Sequence, residues 1–128
     1  MRNTKKQGKF ILFVYQEKPN YYIGVNLNFD LIQEGKTPEE TMQRLKEASL
    51  NYLKTIIKKN YPDDLLNKPA PKEYWIKFEK FLKRKVKEIK RQTETLKKEL
   101  EEKKRKYWET YLQEQIYTPN FLKKELNV

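Results

Sequence analysis

Residues 9–16 read Lys9-Phe10-Ile11-Leu12-Phe13-Val14-Tyr15-Gln16, with apolar side chains at every position between the two ends. In a strand successive side chains point to opposite faces. Phe10, Leu12 and Val14 therefore share one face, and Ile11, Phe13 and Tyr15 the other. A strand apolar on both faces is covered on both faces, which predicts a central strand with a layer above and a layer below.

The chain on either side of this strand supplies its partners. Pro19-Asn20 is a turn signal, and after it Tyr21 to Leu27 alternates again, with Tyr21, Ile23, Val25 and Leu27 on one face, which predicts a β-hairpin. Phe29 to Glu34 predicts a short third strand ending at Gly35, read here as a strand terminator. Thr37-Pro38-Glu39-Glu40 is a helix start: the Thr37 hydroxyl caps the amide of Glu40, Glu40 reaches back to the cap, and Pro38 occupies the first helical position, where its missing N–H costs nothing. Met42, Leu45, Ala48, Tyr52, Leu53, Ile56 and Ile57 then recur at helical spacing, and the helix is expected to end near Asn60, before Pro62.

Pro62, Pro69 and Pro71 mark a boundary near Lys68. We expect a β-β-β-α domain over residues 1–67 and a basic, mainly helical extension over 68–128. From Lys72 to about Gln115 there is neither Gly nor Pro, and one helix of about 44 residues, roughly 65 Å long at ~1.5 Å per residue, or a helical hairpin, is predicted. A fourth strand over Tyr74–Phe78 is the competing reading at its start. Pro119 is read as the end of this helix, with Phe121, Leu122 and Leu126 docking a short tail. The fold class is thus α+β, a small antiparallel unit followed by a long helix.

Composition limits the chemistry. The 128 residues contain no His and no Cys, so disulfides, thiolate metal sites and the commonest general bases and nucleophiles are excluded. Three glycines, Gly8, Gly24 and Gly35, form no phosphate-cradling loop. Asp63-Asp64 reads as a turn. We expect a protein that is not an enzyme, with no cofactor and no metal. The apolar run at the N-terminus is too short for a membrane span and lacks a signal-peptide cleavage pattern, so a cytoplasmic protein is expected.

The formal charge is +11 and uneven: residues 1–67 hold 11 Lys/Arg against 8 Asp/Glu, and residues 68–128 hold 18 against 10. A basic surface of this kind attracts polyanions. Candidate nucleic-acid contacts are Lys83, Arg84, Lys87, Lys90 and Arg91, then Lys97, Lys98, Lys104 and Arg105. The competing reading is a solvated helix face, because Glu88, Glu94, Glu99, Glu101 and Glu102 are spaced for i,i+4 pairing. Trp75, Phe78, Leu82, Val86, Ile89, Leu96, Leu100 and Tyr107 form a stripe suited to a partner, a second copy of the chain or the open sheet face, and Trp108 and Tyr111 a self-association patch. Tyr74, Trp75, Phe78, Phe81, Tyr107, Trp108 and Tyr111 are also the rings able to stack on bases. A homo-oligomer is expected, without a membrane partner.

Phe10-Ile11-Leu12-Phe13-Val14, Tyr21-Tyr22-Ile23-Gly24-Val25, Ile32 to Glu40, Leu45-Lys46-Glu47-Ala48 and Tyr52-Leu53 together resemble the HicB-like antitoxin family in order and spacing, over about residues 9–60. The resemblance implies a degraded ribonuclease-H-like fold, assembly into dimers or larger oligomers, and neutralisation of a HicA-type ribonuclease toxin. It also implies operator binding through a separate C-terminal domain, in whose place this sequence predicts a long helix.

Overall fold

The structure is a computed structural model that describes residues 2–92 and 112–126. Four strands, β1 (Gly8–Lys18), β2 (Tyr21–Asn26), β3 (Leu31–Gly35) and β4 (Leu112–Tyr117), form one antiparallel sheet in the order β3-β2-β1-β4. Helix α1 (Pro38–Lys58) lies on one face and helix α2 (Lys72–Gln92) on the other, and α3 (Pro119–Glu125) follows β4. The class is α+β, and β1 is interior to the sheet and covered on both faces, as its double apolar pattern demands.

The two faces of β1 seed two cores. Phe10, Leu12 and Val14 pack with Phe29, Met42, Leu45, Leu53 and Ile56 beneath α1, whereas Phe13 packs with Val25, Leu27, Phe78 and Phe81 beneath α2. The β1–β2 turn is the two-residue Pro19-Asn20 loop between paired Lys18 and Tyr21. Asn20 sits there at φ 59°, a left-handed conformation that Asn tolerates better than most residues.

Helix α1 begins as the sequence predicts, with one difference. The Glu40 N–H donates to Thr37 Oγ1 at 3.1 Å, but the Glu40 carboxylate accepts from the N–H of Lys36 at 3.0 Å, one residue before the cap. Gly35 does more than end a strand: a Cβ there would lie 2.5 Å from Thr41 Oγ1 and 3.2 Å from the Thr41 nitrogen. Only a residue without a side chain lets the first turn of α1 approach the end of β3 so closely. The buried Ser49 and Asn26 satisfy each other, with Asn26 Nδ2 donating to Ser49 Oγ at 2.9 Å, and no buried side-chain N or O among the described residues lacks a partner.

The second half departs from expectation. The helix predicted to run to Gln115 does not include residues 112–115, which are strand: Leu112 to Tyr117 pairs antiparallel with Phe13 to Gly8. The competing strand at Tyr74–Phe78 is helix instead, part of α2. Pro119 opens a helix rather than closing one, since Thr118 caps α3 by accepting from the Phe121 N–H, with Pro119 in the first turn. The physical reason is burial: Tyr117, Leu122 and Leu126 enter the α1-side core, and Tyr117 is fully buried, outweighing the helix propensity of the Gln and Glu beside it. Chain from beyond residue 68 therefore completes the sheet begun before it.

The short 3-10 turn Asp63–Leu66 is tied to the N-terminus. The Asn67 side chain grips the Asn3 backbone at both ends, its Oδ1 accepting from the Asn3 N–H and its Nδ2 donating to the Asn3 carbonyl, each at 2.8 Å, and the Tyr117 hydroxyl donates to the Thr4 carbonyl at 2.8 Å. We expect Tyr117→Ala to cost about 3–5 kcal/mol in urea unfolding, as deletion of a buried ring does. Tyr117→Phe, which loses only the hydroxyl, is expected to cost about 1 kcal/mol. A Tyr117→Ala variant as stable as the parent would remove β4 from the core.

Candidate nucleic-acid interface

What places the basic helix is its apolar side. Phe78 and Phe81 are both buried, and their ring centroids stand 5.6 and 5.4 Å from that of Phe13. Trp75 meets Phe78 edge-on at 6.2 Å, and Tyr74 and Leu82 pack against the same cluster. Such ring pairs fix orientation as well as contributing buried area. The approach is also pinned: the Lys68 N–H donates to the Asn28 carbonyl at 2.9 Å and the Ala70 N–H to the Leu27 carbonyl at 3.0 Å. The segment between the prolines is thus anchored to the end of β2.

With that face committed to the sheet, the cations fall elsewhere. Helix α2 holds nine Lys/Arg against three Glu. Lys77, Lys80, Arg84, Lys87 and Arg91 recur at alternating spacings of three and four, so they form one row along one side. This row is a wall of an open groove of about 1480 Å³, whose other wall is Phe13, Val14, Tyr15 and Gln16 of β1, with Phe81, Lys83, Lys85 and Glu88 also lining it.

Two of the cations are held. Lys77 Nζ lies 4.5 Å from the centre of the Tyr15 ring and 3.7 Å from a Glu17 carboxylate oxygen. Lys85 Nζ lies 3.5 Å from Glu88 and 5.7 Å from the Phe81 ring. The other row members are different. Among the described residues Lys80, Arg84, Lys87 and Arg91, with Lys83 beside them, are exposed and have no carboxylate within ion-pair distance. The i,i+4 pairs Glu79–Lys83 and Arg84–Glu88 that would neutralise this side are not formed.

Of the residues singled out from sequence, Lys83, Arg84, Lys87 and Arg91 come together on this groove, and Lys90 lies on the same helix. Trp75, Phe78 and Leu82 are taken up by the sheet, Ile89 is half-buried and Val86 remains exposed. Lys97, Lys98, Lys104, Arg105, Leu96, Leu100, Tyr107, Trp108 and Tyr111 lie outside the described residues. Sequence reasoning missed Lys77 and Lys80, although continuing the spacing of Arg84, Lys87 and Arg91 by one heptad backward reaches both. It also missed the β1 wall, which no local pattern announces. Thr37, Pro38 and Glu40 serve the helix start, remote in sequence from this groove. No group of three or more Asp or Glu able to hold a metal ion occurs among the described residues.

Burial first, then the charges of Glu17, Tyr74 and Glu73, push the Tyr15 phenol up to about 12. An unfolded chain ionises its tyrosines near 10, so as pH rises it loses this proton before the folded chain does. Stability is therefore expected to fall between pH of about 10 and 12. In a tyrosinate absorbance titration, the difference between parent and Tyr15→Phe should titrate near 12. A difference centred near 10 would mean that α2 does not cover Tyr15. No protein-family model, curated protein or solved structure matches the chain.

Proposed function

We propose that this chain is a binding protein whose partner is a nucleic acid, held on the groove between α2 and β1. The observation that carries the reading is the exposed row Lys80, Arg84, Lys87 and Arg91, with Lys83 beside it, without carboxylate partners among the described residues and on a groove that aromatic rings also line. Unpaired cations in line with one another are what phosphates require, and binding releases the counterions condensed on the nucleic acid. The binding role also fits a chain with neither His nor Cys, since proton transfer near neutral pH is left to groups that titrate far from it. We place such a protein in the cytoplasm. No helix among the described residues is long and apolar enough to cross a membrane.

A second reading is the HicB-like one: a degraded ribonuclease-H-like unit that occludes a HicA-type toxin. It is supported by the order β1, β2, β3, α1, the order the resemblance implies. Assembly of copies through the stripe on α2 has less support, because Trp75, Phe78 and Leu82 are spent within the chain and Val86 is the exposed apolar member of the stripe among the described residues. A complex with a small protein encoded beside it, formed on co-expression, would favour the toxin reading.

The first reading is tested by fluorescence anisotropy with labelled nucleic acid across a salt series. Five cation contacts predict a log–log slope of about −3.5 for a single strand and about −4.5 for a duplex. Arg84→Glu with Lys87→Glu should weaken binding at least about tenfold and flatten the slope by roughly two contacts. Both side chains are exposed, so thermal stability should change little. Absence of binding at low salt contradicts the proposal.

A further inference from the structure

The geometry points to one strand, not a duplex, as the ligand of this groove, an inference that rests on the reading just proposed and narrows it. Three features carry it. The first is the row itself. Lys77 and Arg91 are fourteen positions apart on a single helix side, roughly 21 Å at ~1.5 Å per residue. That length matches one backbone of about four to six nucleotides.

The second is that the cations border a recess rather than crown a ridge. Their groove is closed on its far side by β1, and its lining includes the rings of Phe13, Tyr15 and Phe81, of which Tyr15 is the half-buried one. A duplex, whose major groove alone is about 12 Å wide, docks on protruding elements. Unstacked bases of a single strand instead turn into an aromatic recess while their phosphates stay at its rim.

The third is the way α2 is held. Its aromatic face is locked onto the sheet, and its exposed surface also carries Ile76 and Val86, 41% and 49% accessible, and Glu79, which has no ion pair among the described residues. A helix that reads a major groove needs its outer surface lined with base-contacting and phosphate-contacting groups; this one interrupts that surface with two apolar residues and a carboxylate.

The ring available to a base is that of Tyr15. Phe13 stacks on it, with centroids 5.5 Å apart, and Lys77 lies over it at 4.5 Å. Lys77 also sits 3.7 Å from Glu17, so an incoming base displaces an ammonium that keeps a carboxylate to retreat to. Phosphates then take Lys80, Arg84, Lys87 and Arg91.

The experiment compares the full chain binding a labelled oligothymidylate about 12 nucleotides long, a duplex of the same length, and heparin, in about 0.1 M salt. The single strand should bind at least about tenfold tighter than the duplex. Tyr15→Leu, which keeps apolar packing but removes the ring, should lose about tenfold for the single strand and leave duplex binding unchanged. Tyr15→Phe should bind the single strand as the parent does, and both variants should keep the parent's circular dichroism. Equal or tighter duplex binding, or equal affinity for heparin, overturns the single-strand inference while leaving a polyanion groove. Binding of none of the three overturns the underlying reading with it, as does binding of an acidic protein alone.

Discussion

Phe13 meets two rings of α2, Phe78 and Phe81, at centroid distances of 5.6 and 5.4 Å, and through them one strand decides where a helix of charge +6 is held. On the opposite face of the same strand Phe10, Leu12 and Val14 bury themselves under α1. Each face alone would leave a large apolar surface in water, at about 25 cal/mol for each Å² left uncovered. A strand with two apolar faces therefore recruits two layers, and in this chain the second layer is made by its most basic segment. Packing, not electrostatics, brings the cations to the sheet.

The two layers are used differently. The α1 side draws its core from both halves of the chain, with Tyr117, Leu122 and Leu126 joining the residues beneath α1, and the Asn67 side chain holds the Asn3 backbone nearby. Its polar groups are paired internally, as Asn26 with Ser49. On the α2 side the helix contacts the sheet through large rings that stand it away from the strands, and a groove remains beside it. Lys80, Lys83, Arg84, Lys87 and Arg91 on that groove are exposed and have no carboxylate within ion-pair distance among the described residues. This asymmetry is why the ligand is sought on the α2 side.

Much of the first sixty residues was legible because their signals are local and agree with one another. Double alternation in β1, Pro19-Asn20, and the Thr37-Pro38 start each indicate the element that forms, and the apolar period of α1 matches its buried residues. The far end was harder. Leu112-Gln113-Glu114-Gln115 follows forty residues without Gly or Pro and is made of good helix formers, so propensity pointed to helix. What makes it a strand is the β4 edge of β1, over a hundred residues earlier, a non-local contact that no window of sequence contains. One local clue existed: Thr118-Pro119 repeats the grammar of Thr37-Pro38 and marks a helix start, so whatever precedes it had to end there. The site divides the same way. Arg84, Lys87 and Arg91 are visible as a charged run, but their opposite wall, Phe13 to Gln16, becomes part of a site only through tertiary packing.

The proposed binding groove has α2 and β1 as its two walls. It is tested most directly by titrating the isotopically labelled chain with a short single-stranded oligonucleotide and following backbone amide shifts. The perturbed amides should cluster on Phe13 to Gln16 and along α2 from Lys77 to Arg91, with α1 and β3 unmoved. Perturbations centred on α1 and β3, or spread evenly over every lysine-rich surface, would contradict it.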